Sequence, residues 1–183
     1  MVLSVIGLVV TLPVILLAWL VSSIETKSNG FFLQKRVGEN GKLFTIIKIK
    51  TMYPNNGVTI TTANDNRITK SGKFFRKYKI DELPQLFNVL IGDMSFVGPR
   101  PDVPGYADKL KEEDKIILSI KPGITGPATL KYKYEEEILA KVDDPVQYNN
   151  EVIWPDKVKI NKEYIKNWSL KKDIEYIIKT IKG

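Results

Sequence analysis

The amino-terminal run of the chain has no charged side chain before Glu25, and it limits the fold more than any other feature. Its sequence is MVLSVIGLVVTLPVILLAWLVSSIE. A helix of about 20 apolar residues spans a hydrocarbon core of roughly 30 Å. Pro13 lies in the middle of the run, where a proline removes a backbone hydrogen bond and clashes with the preceding turn. The run therefore predicts a membrane-embedded segment that is disturbed at Pro13.

Three interpretations of this segment are open. A signal peptide is disfavoured, because no basic residue precedes the apolar run and no small-residue cleavage site follows it. A helix that crosses the bilayer and a helix that Pro13 bends back to the face it entered both fit the length. The basic residues after the run are typical of a cytoplasmic flank: Lys27, Lys35, Arg36, Lys42, Lys48 and Lys50.

The composition restricts the chemistry that the chain can perform. The 183 residues include no cysteine and no histidine, and the formal net charge is +7. Catalysis would therefore use carboxylates, lysine, tyrosine, hydroxyl groups or a bound ion, and a metal would be a hard cation held by oxygen, with Mg²⁺ first. The positive charge beside an apolar run favours anionic lipid and phosphorylated partners over nucleic acid.

The remaining pattern predicts an α/β fold that is helix-rich with a small β-sheet or hairpin. Two β-like runs flank Gly38-Glu39-Asn40-Gly41, which is a hairpin signal. A loop is expected from Tyr53 to Asn66. Helices are expected over residues 105–120 and 134–142 and from Ser169 onwards. Basic and aromatic residues alternate over residues 67–83, which fits nucleic-acid binding, an interfacial helix or a solvated helix face.

Asp81 and Glu82 stand at the start of another expected helix, which ends at Gly92. Pro84 is tolerated only in the first turn of a helix, so Asp81 falls at or near the N-cap. Two interpretations are open. Asp81 caps the helix while Glu82 complements its dipole, or the same position depresses the pKa of Asp81 and keeps an ionised carboxylate ready to attack a phosphoryl centre.

Arg100 lies between Pro99 and Pro101, which fix the backbone on both sides of it. A guanidinium held in this way is suited to bidentate contact with phosphate. An ion pair that only stabilises a tight loop explains the same pattern.

In their order and spacing, these motifs resemble the bacterial sugar transferase family, the small monotopic phosphoglycosyl transferases. The matching pieces, besides the apolar start with Pro13, are Phe32-Leu33-Gln34-Lys35-Arg36-Val37-Gly38, Gly41-Lys42-Leu43-Phe44, Lys48-Ile49-Lys50-Thr51-Met52, Asp65-Asn66-Arg67-Ile68-Thr69, Asp81-Glu82-Leu83-Pro84-Gln85-Leu86, Gly92-Asp93-Met94-Ser95, Gly98-Pro99-Arg100-Pro101 and Pro122-Gly123-Ile124-Thr125-Gly126.

The resemblance implies an enzyme that transfers a sugar 1-phosphate from a UDP-sugar to undecaprenyl phosphate or another polyprenol phosphate. Asp81 is the implied nucleophile, through a covalent aspartyl-phosphosugar intermediate. Glu82 is implied in metal binding or proton handling, and Asp81 and Glu82 together in binding Mg²⁺. The implied phosphate- and substrate-binding residues are Arg76, Arg100, Lys48 and Lys50.

The resemblance also implies a topology. Residues 1–26 would form a re-entrant helix broken at Pro13, and residues 27–183 a catalytic domain continuous with it on the cytoplasmic face of the inner membrane. Leu12 stands where the family usually has serine before the proline. Residues 131–150 differ from the better-known sugar-specificity region, so the donor sugar is open. The expected partners are the donor, the lipid acceptor, the bilayer and a second copy of the chain, and no nucleic acid. The alternative is a non-catalytic, membrane-anchored basic protein that binds anionic lipid or a glycan-assembly partner.

Overall fold

A computed structural model describes residues 1–53 and 65–182 of the chain. Most of the loop expected between Tyr53 and Asn66 therefore lies outside the described residues. The chain divides into two compact units. Within the described ranges, unit 1 comprises residues 1–36, 44–53 and 65–94, and unit 2 comprises residues 37–43 and 95–182.

Helix α1 (Val2–Thr26), helix α2 (Lys70–Lys77) and helix α3 (Gln85–Ile91) form unit 1 with most of two paired strands, β1 (Phe31–Val37) and β2 (Leu43–Ile49). Between the strands, a 3₁₀ turn places Asn40 and Gly41 at φ angles of 54° and 74°. Asparagine and glycine tolerate this left-handed backbone better than other residues. The hairpin expected at Asn40-Gly41 is confirmed.

The core of unit 1 forms where α1 meets the end of β2 and α2. Ile15 and Ala18 of α1 pack with Ile49 and Phe75. The chain also approaches α1 closely at Gly30, where a Cβ atom would lie 2.2 Å from the carbonyl oxygen of Trp19. Glycine is therefore required just before β1, and α1 is packed against the rest of unit 1.

The side chains of α1 are distributed inside out compared with those of a helix in a water-soluble protein. Ser4, Ser22 and Thr26 are buried, and the Ser22 hydroxyl donates to the carbonyl oxygen of Lys50 at 2.6 Å. Large apolar side chains are exposed instead, for example Val9 at 70% and Leu17 at 63%. An exposed apolar face of this size is typical of a membrane or protein contact, and α1 is long and apolar enough to cross a bilayer.

Helix α1 continues through Pro13, and its bounds enclose the proline. A re-entrant path therefore requires a bend within the helix rather than an end of it. The re-entrant topology, and the division into residues 1–26 and 27–183, stay predictions.

Unit 2 is built around a two-stranded parallel sheet and a set of short helices. Strand β3 (Ser95–Val97) pairs with β4 (Gly123–Thr125), with Ser95 opposite Gly123 and Val97 opposite Thr125. The helices are α4 (Pro127–Lys131), α5 (Glu135–Leu139), α6 (Pro145–Tyr148), α7 (Trp154–Lys166) and α8 (Leu170–Lys182), with a π-helical segment at Asn149–Ile153. The helix-rich fold with small sheets, the helix within residues 134–142 and the last helix are confirmed.

The helix expected over residues 105–120 is wrong. That stretch contains two short 3₁₀ turns, Ala107–Lys109 and Lys115–Leu118, and Leu110 between them is extended, at φ −62° and ψ 148°. Ala107 and Ile117 are both buried. We attribute the difference to burial of these two residues in unit 2, which overrides a good local helix propensity.

Candidate active site

The backbone presents Asp81 and Glu82 on a 3₁₀ turn, Ile80–Glu82, that precedes α3. The amide of Leu83 donates to the carbonyl oxygen of Ile80 at 3.2 Å. Helix α3 has Pro84 as its N-cap, and no side chain caps it. The prediction that Asp81 caps this helix is therefore wrong, because the intervening turn displaces the helix start beyond the reach of its carboxylate.

Asp81 is buried, with 8% of its surface exposed, and its Oδ1 atom has no hydrogen-bond partner among the described residues. Burial raises the pKa of the Asp81 carboxyl, and the neighbouring charge of Glu82 raises it further. Lys48, Lys79 and Arg76 act in the opposite direction. The prediction that the pKa of Asp81 is depressed is wrong. It assumed that the carboxylate accepts hydrogen bonds from amides at the start of the helix, and the Oδ1 atom accepts none from the described residues.

Glu82 has different surroundings from its neighbour, although it is equally buried. The Lys48 ammonium donates to Glu82 Oε1 at 3.0 Å, and only 13% and 10% of the two side chains is exposed. Lys48 lies in β2, so the hairpin supplies the cation and the turn before α3 supplies the carboxylate. The predicted phosphate-binding residue Lys48 thus contacts the predicted metal-binding residue Glu82.

Arg76 is held at the carboxyl end of α2 by residues that follow β2. Its Nε atom donates to the Thr51 hydroxyl at 3.0 Å, and its Nη2 atom approaches Met52 Sδ at 3.2 Å. Gly72 allows this approach, because a Cβ atom there would lie 2.2 Å from the carbonyl oxygen of Thr51. The Thr69 hydroxyl caps α2 by accepting from the Gly72 amide at 2.9 Å. This packing fixes where the guanidinium of Arg76 lies.

The structure brings Lys48, Arg76, Asp81 and Glu82 together in unit 1. Lys50 is in the same unit, and its ammonium donates to the Ser28 hydroxyl at 2.8 Å, just after α1. Arg100 belongs to unit 2, on the segment that follows β3. The roles assigned to these residues stay predictions.

Lys79 is a further cation near Asp81 that was not among the predicted site residues. Its charge acts on the Asp81 carboxyl. In the sequence, its position two residues before Asp81 is the feature that could have indicated a role.

The two adjacent carboxylates fit a cation that is shared with a substrate. Over residues 1–53 and 65–182, no group of three or more acidic side chains is placed to hold a metal. Mg²⁺ commonly binds one or two carboxylates and completes its coordination with water and substrate phosphates. The Asp81 and Glu82 side chains are both buried, and a cation beside them would offset the charge of the pair. Asp81 and Glu82 therefore fit Mg²⁺ bound together with a phosphorylated ligand.

Comparisons with known proteins agree on one family. The bacterial sugar transferase family matches residues 1–183. A UDP-N-acetylgalactosamine-undecaprenyl-phosphate N-acetylgalactosaminephosphotransferase of Aeromonas hydrophila is 35% identical, over 93% of this chain and 38% of its own length. An undecaprenyl-phosphate glucose phosphotransferase of Komagataeibacter xylinus is 34% identical, over 98% and 34%. An undecaprenyl-phosphate galactose phosphotransferase of Salmonella typhimurium is 33% identical, over 98% and 36%.

The chain spans little more than a third of the length of these three relatives. Their names contain three different sugars, whereas undecaprenyl phosphate is common to all three. These relatives therefore share the lipid in their names and differ in the sugar.

Proposed function

Since the chain belongs to the bacterial sugar transferase family, we propose that it is a phosphoglycosyl transferase. It transfers a sugar 1-phosphate from a UDP-sugar to a polyprenol phosphate, specifically undecaprenyl phosphate, at the cytoplasmic face of the inner membrane. The observation that carries this proposal is the buried Asp81 carboxylate, whose Oδ1 atom is not engaged by another described residue. A carboxylate with an unengaged oxygen lone pair beside cations can act as a nucleophile.

In the first half-reaction, Asp81 Oδ1 attacks the phosphorus atom that carries the sugar. A bond forms between this oxygen and phosphorus, and the bond from phosphorus to the bridging oxygen of the diphosphate breaks. UMP leaves with the electron pair, and the sugar phosphate stays on Asp81 as an acyl phosphate. Lys48, Lys79 and Arg76, whose charges act on Asp81, offset the repulsion between the carboxylate and the diphosphate.

In the second half-reaction, a phosphate oxygen of the polyprenol phosphate attacks the same phosphorus atom. The bond from phosphorus to Asp81 breaks, the carboxylate is restored, and the product is a polyprenol diphosphate sugar. The exposed apolar face of α1 supports a reaction beside lipid, because the acceptor is itself anchored in the membrane.

Glu82 and the Asp81 oxygen that does not attack would hold Mg²⁺, which would offset the diphosphate charge and make UMP a better leaving group. Lys48 holds the Glu82 carboxylate in place through the 3.0 Å ion pair. The phosphate-binding roles of Arg76, Arg100 and Lys50 remain part of the proposal, and so does a homodimer.

The test uses the detergent-solubilised full chain with UDP-sugars, undecaprenyl phosphate and Mg²⁺. We expect UMP release with at least one UDP-sugar, and a mass increase of one sugar phosphate on Asp81 when the lipid is omitted. Asp81→Asn should abolish both signals. Asp156→Asn, the same change at an ion-paired carboxylate of unit 2, should abolish neither.

An adduct on a different residue would overturn the role of Asp81 as nucleophile. No UMP release across the full panel of UDP-sugars, together with binding to anionic vesicles, would favour the non-catalytic lipid-binding alternative instead.

A further inference from the structure

Lys79 has an unusual backbone conformation for its residue type. Among the described residues, three that are not glycine have a positive φ angle: Lys27 at 50°, Asn40 at 54° and Lys79 at 56°. Asparagine adopts the left-handed region readily, whereas a lysine there is strained. The positive φ angles of Lys27 and Lys79 therefore require an explanation.

A first explanation is helix termination, and it applies to both lysines. Lys27 caps α1, and its amide donates to the carbonyl oxygen of Ser23. Lys79 follows the cap of α2, and its amide donates to the carbonyl oxygen of Arg76 at 3.2 Å. A left-handed residue commonly ends a helix, but it is usually glycine, as Gly92 is at the end of α3 with φ 93°. A lysine adds only a favourable charge near the helix dipole.

Lys79 differs from Lys27 in the element that comes after it along the chain. It is the N-cap of the 3₁₀ turn that carries Asp81 and Glu82. Its carbonyl oxygen accepts from the Glu82 amide at 3.2 Å. Lys79 therefore lies between the end of α2 and the 3₁₀ turn Ile80–Glu82. It precedes Asp81 by two residues in the chain.

The side chain of Lys79 is also exposed, whereas the other cations that act on Asp81 have bonds within the protein. Lys48 is paired with Glu82, and Arg76 is bonded to Thr51. Those two groups would have to weaken existing contacts to turn towards a ligand. An exposed ammonium group on a long flexible stem can meet an incoming phosphate without such a loss.

We propose that Lys79 is a substrate-binding residue that contacts the diphosphate of the donor beside Asp81, and that the strained backbone is retained because it places a cation there. This inference rests on the proposed function for the identity of the donor. It adds a role for one residue, and it explains why glycine, the favoured residue for this backbone, is absent.

Four variants separate this role from helix termination. Lys79→Gly removes the charge and the strain, Lys79→Met removes only the charge, and Lys79→Arg keeps both. Lys27→Gly is the matched control, because it makes the same change at the same backbone conformation after another helix. Each is compared with the wild type by its melting temperature, by UMP release against donor concentration, and by UDP binding with Mg²⁺ present.

We expect both glycine variants to melt at a higher temperature than the wild type, because glycine is unstrained at positive φ. Lys79→Gly and Lys79→Met should each lower kcat/KM for the donor by about 10-fold, in line with loss of a charged hydrogen bond, and should weaken UDP binding. Lys27→Gly should leave both quantities unchanged, and Lys79→Arg should retain most of the rate.

The proposal is overturned if Lys79→Gly melts higher but binds UDP and releases UMP as the wild type does. Should the wild type bind UDP without releasing UMP, the transferase function fails, yet UDP binding that depends on Lys79 still supports a diphosphate contact. If the wild type neither binds UDP nor releases UMP, both proposals fail.

Discussion

Two acidic side chains, Asp156 in unit 2 and Asp81 in unit 1, have opposite surroundings. In unit 2, Asp156 accepts hydrogen bonds from Lys131 and Tyr132, each at 2.7 Å, and these contacts lower the pKa of its carboxyl. In unit 1, Asp81 is buried, its Oδ1 atom is not bonded to any described residue, and the pKa of its carboxyl is raised. One arrangement stabilises the folded chain, and the other opposes folding.

In a chain without histidine or cysteine, a carboxylate with such surroundings is the first candidate for chemistry. Buried carboxylates without hydrogen bonds are unfavourable, and strongly perturbed groups of this kind cluster at functional sites. Ion-paired carboxylates at a surface are common and contribute little. Asp81 is therefore the acidic residue whose environment is best explained by a reaction.

The largest expected effect is the loss of turnover in Asp81→Asn. UMP release should fall by at least about 10³-fold, because the nucleophile is removed. The melting temperature should stay level or rise, because an amide avoids burial of a charge. Asp156→Asn should show the reverse, with a retained rate and a lower melting temperature. A large fall in the melting temperature of Asp81→Asn would show that its carboxylate is structural and would remove the contrast.

A second large effect is expected for stability when Lys48 is replaced. Lys48→Met leaves the buried Glu82 carboxylate without its cation and should lower the free energy of unfolding by about 3 kcal/mol. The control Lys131→Met breaks the ion pair with Asp156, whose side chains are 55% and 31% exposed, and should change it by less than about 1 kcal/mol. Chemical denaturation in detergent measures both. Equal losses would mean that these two ion pairs do not differ in strength.

Arg100 tests whether unit 2 also contributes to the reaction. Arg100→Lys keeps the charge but replaces a planar fork by a single ammonium group, and we expect UMP release to fall about 10-fold. The conservative change Lys166→Arg, elsewhere in unit 2, provides the control and should leave the rate unchanged. Full activity of Arg100→Lys would show that the reaction does not depend on the planar fork of Arg100.

The smallest effect is the change of stability with pH, and its sign differs between the two carboxylates. The raised pKa of Asp81 means that its contribution to stability is complete below the ordinary value of 3.8 and is lost as pH rises through the folded-state pKa. Asp156 has a lowered pKa, so its contribution is present above 3.8 and is lost as pH falls through the folded-state pKa.

Melting temperatures between about pH 3 and pH 7 check both signs. Relative to the wild type, Asp81→Asn should gain stability as pH rises, whereas Asp156→Asn should lose it. Parallel curves for the two variants would contradict the assigned pKa directions.

Features determined by a single residue or a short motif could be predicted from the sequence. Asn40 and Gly41 predicted the hairpin, Gly92 the end of α3, and the Asp81-Glu82 pair the candidate site, because each depends on local backbone preference or on a compact motif. The helix predicted over residues 105–120 was wrong, because burial of two of its residues is a tertiary effect.

The surroundings of the candidate site could not be predicted for a related reason. The contact between Lys48 and Glu82 joins residues that are 34 positions apart in the chain. The pKa of Asp81 depends on burial, which comes from packing of several elements, and a sequence motif does not report it. The local pattern predicted Asp81 as a candidate nucleophile, whereas the pKa of its carboxyl could be judged only from the fold.

The inside-out arrangement of α1 has a consequence for how the protein is made. The buried hydroxyl of Ser22 bonds to the backbone oxygen of Lys50, just after β2, so the inner side of α1 packs in unit 1 while its outer side is suited to lipid. Neither water alone nor lipid alone suits both sides of α1. We expect biosynthesis to couple the two events, so that a chain translated without a bilayer or detergent misassembles and aggregates even though much of its sequence is hydrophilic.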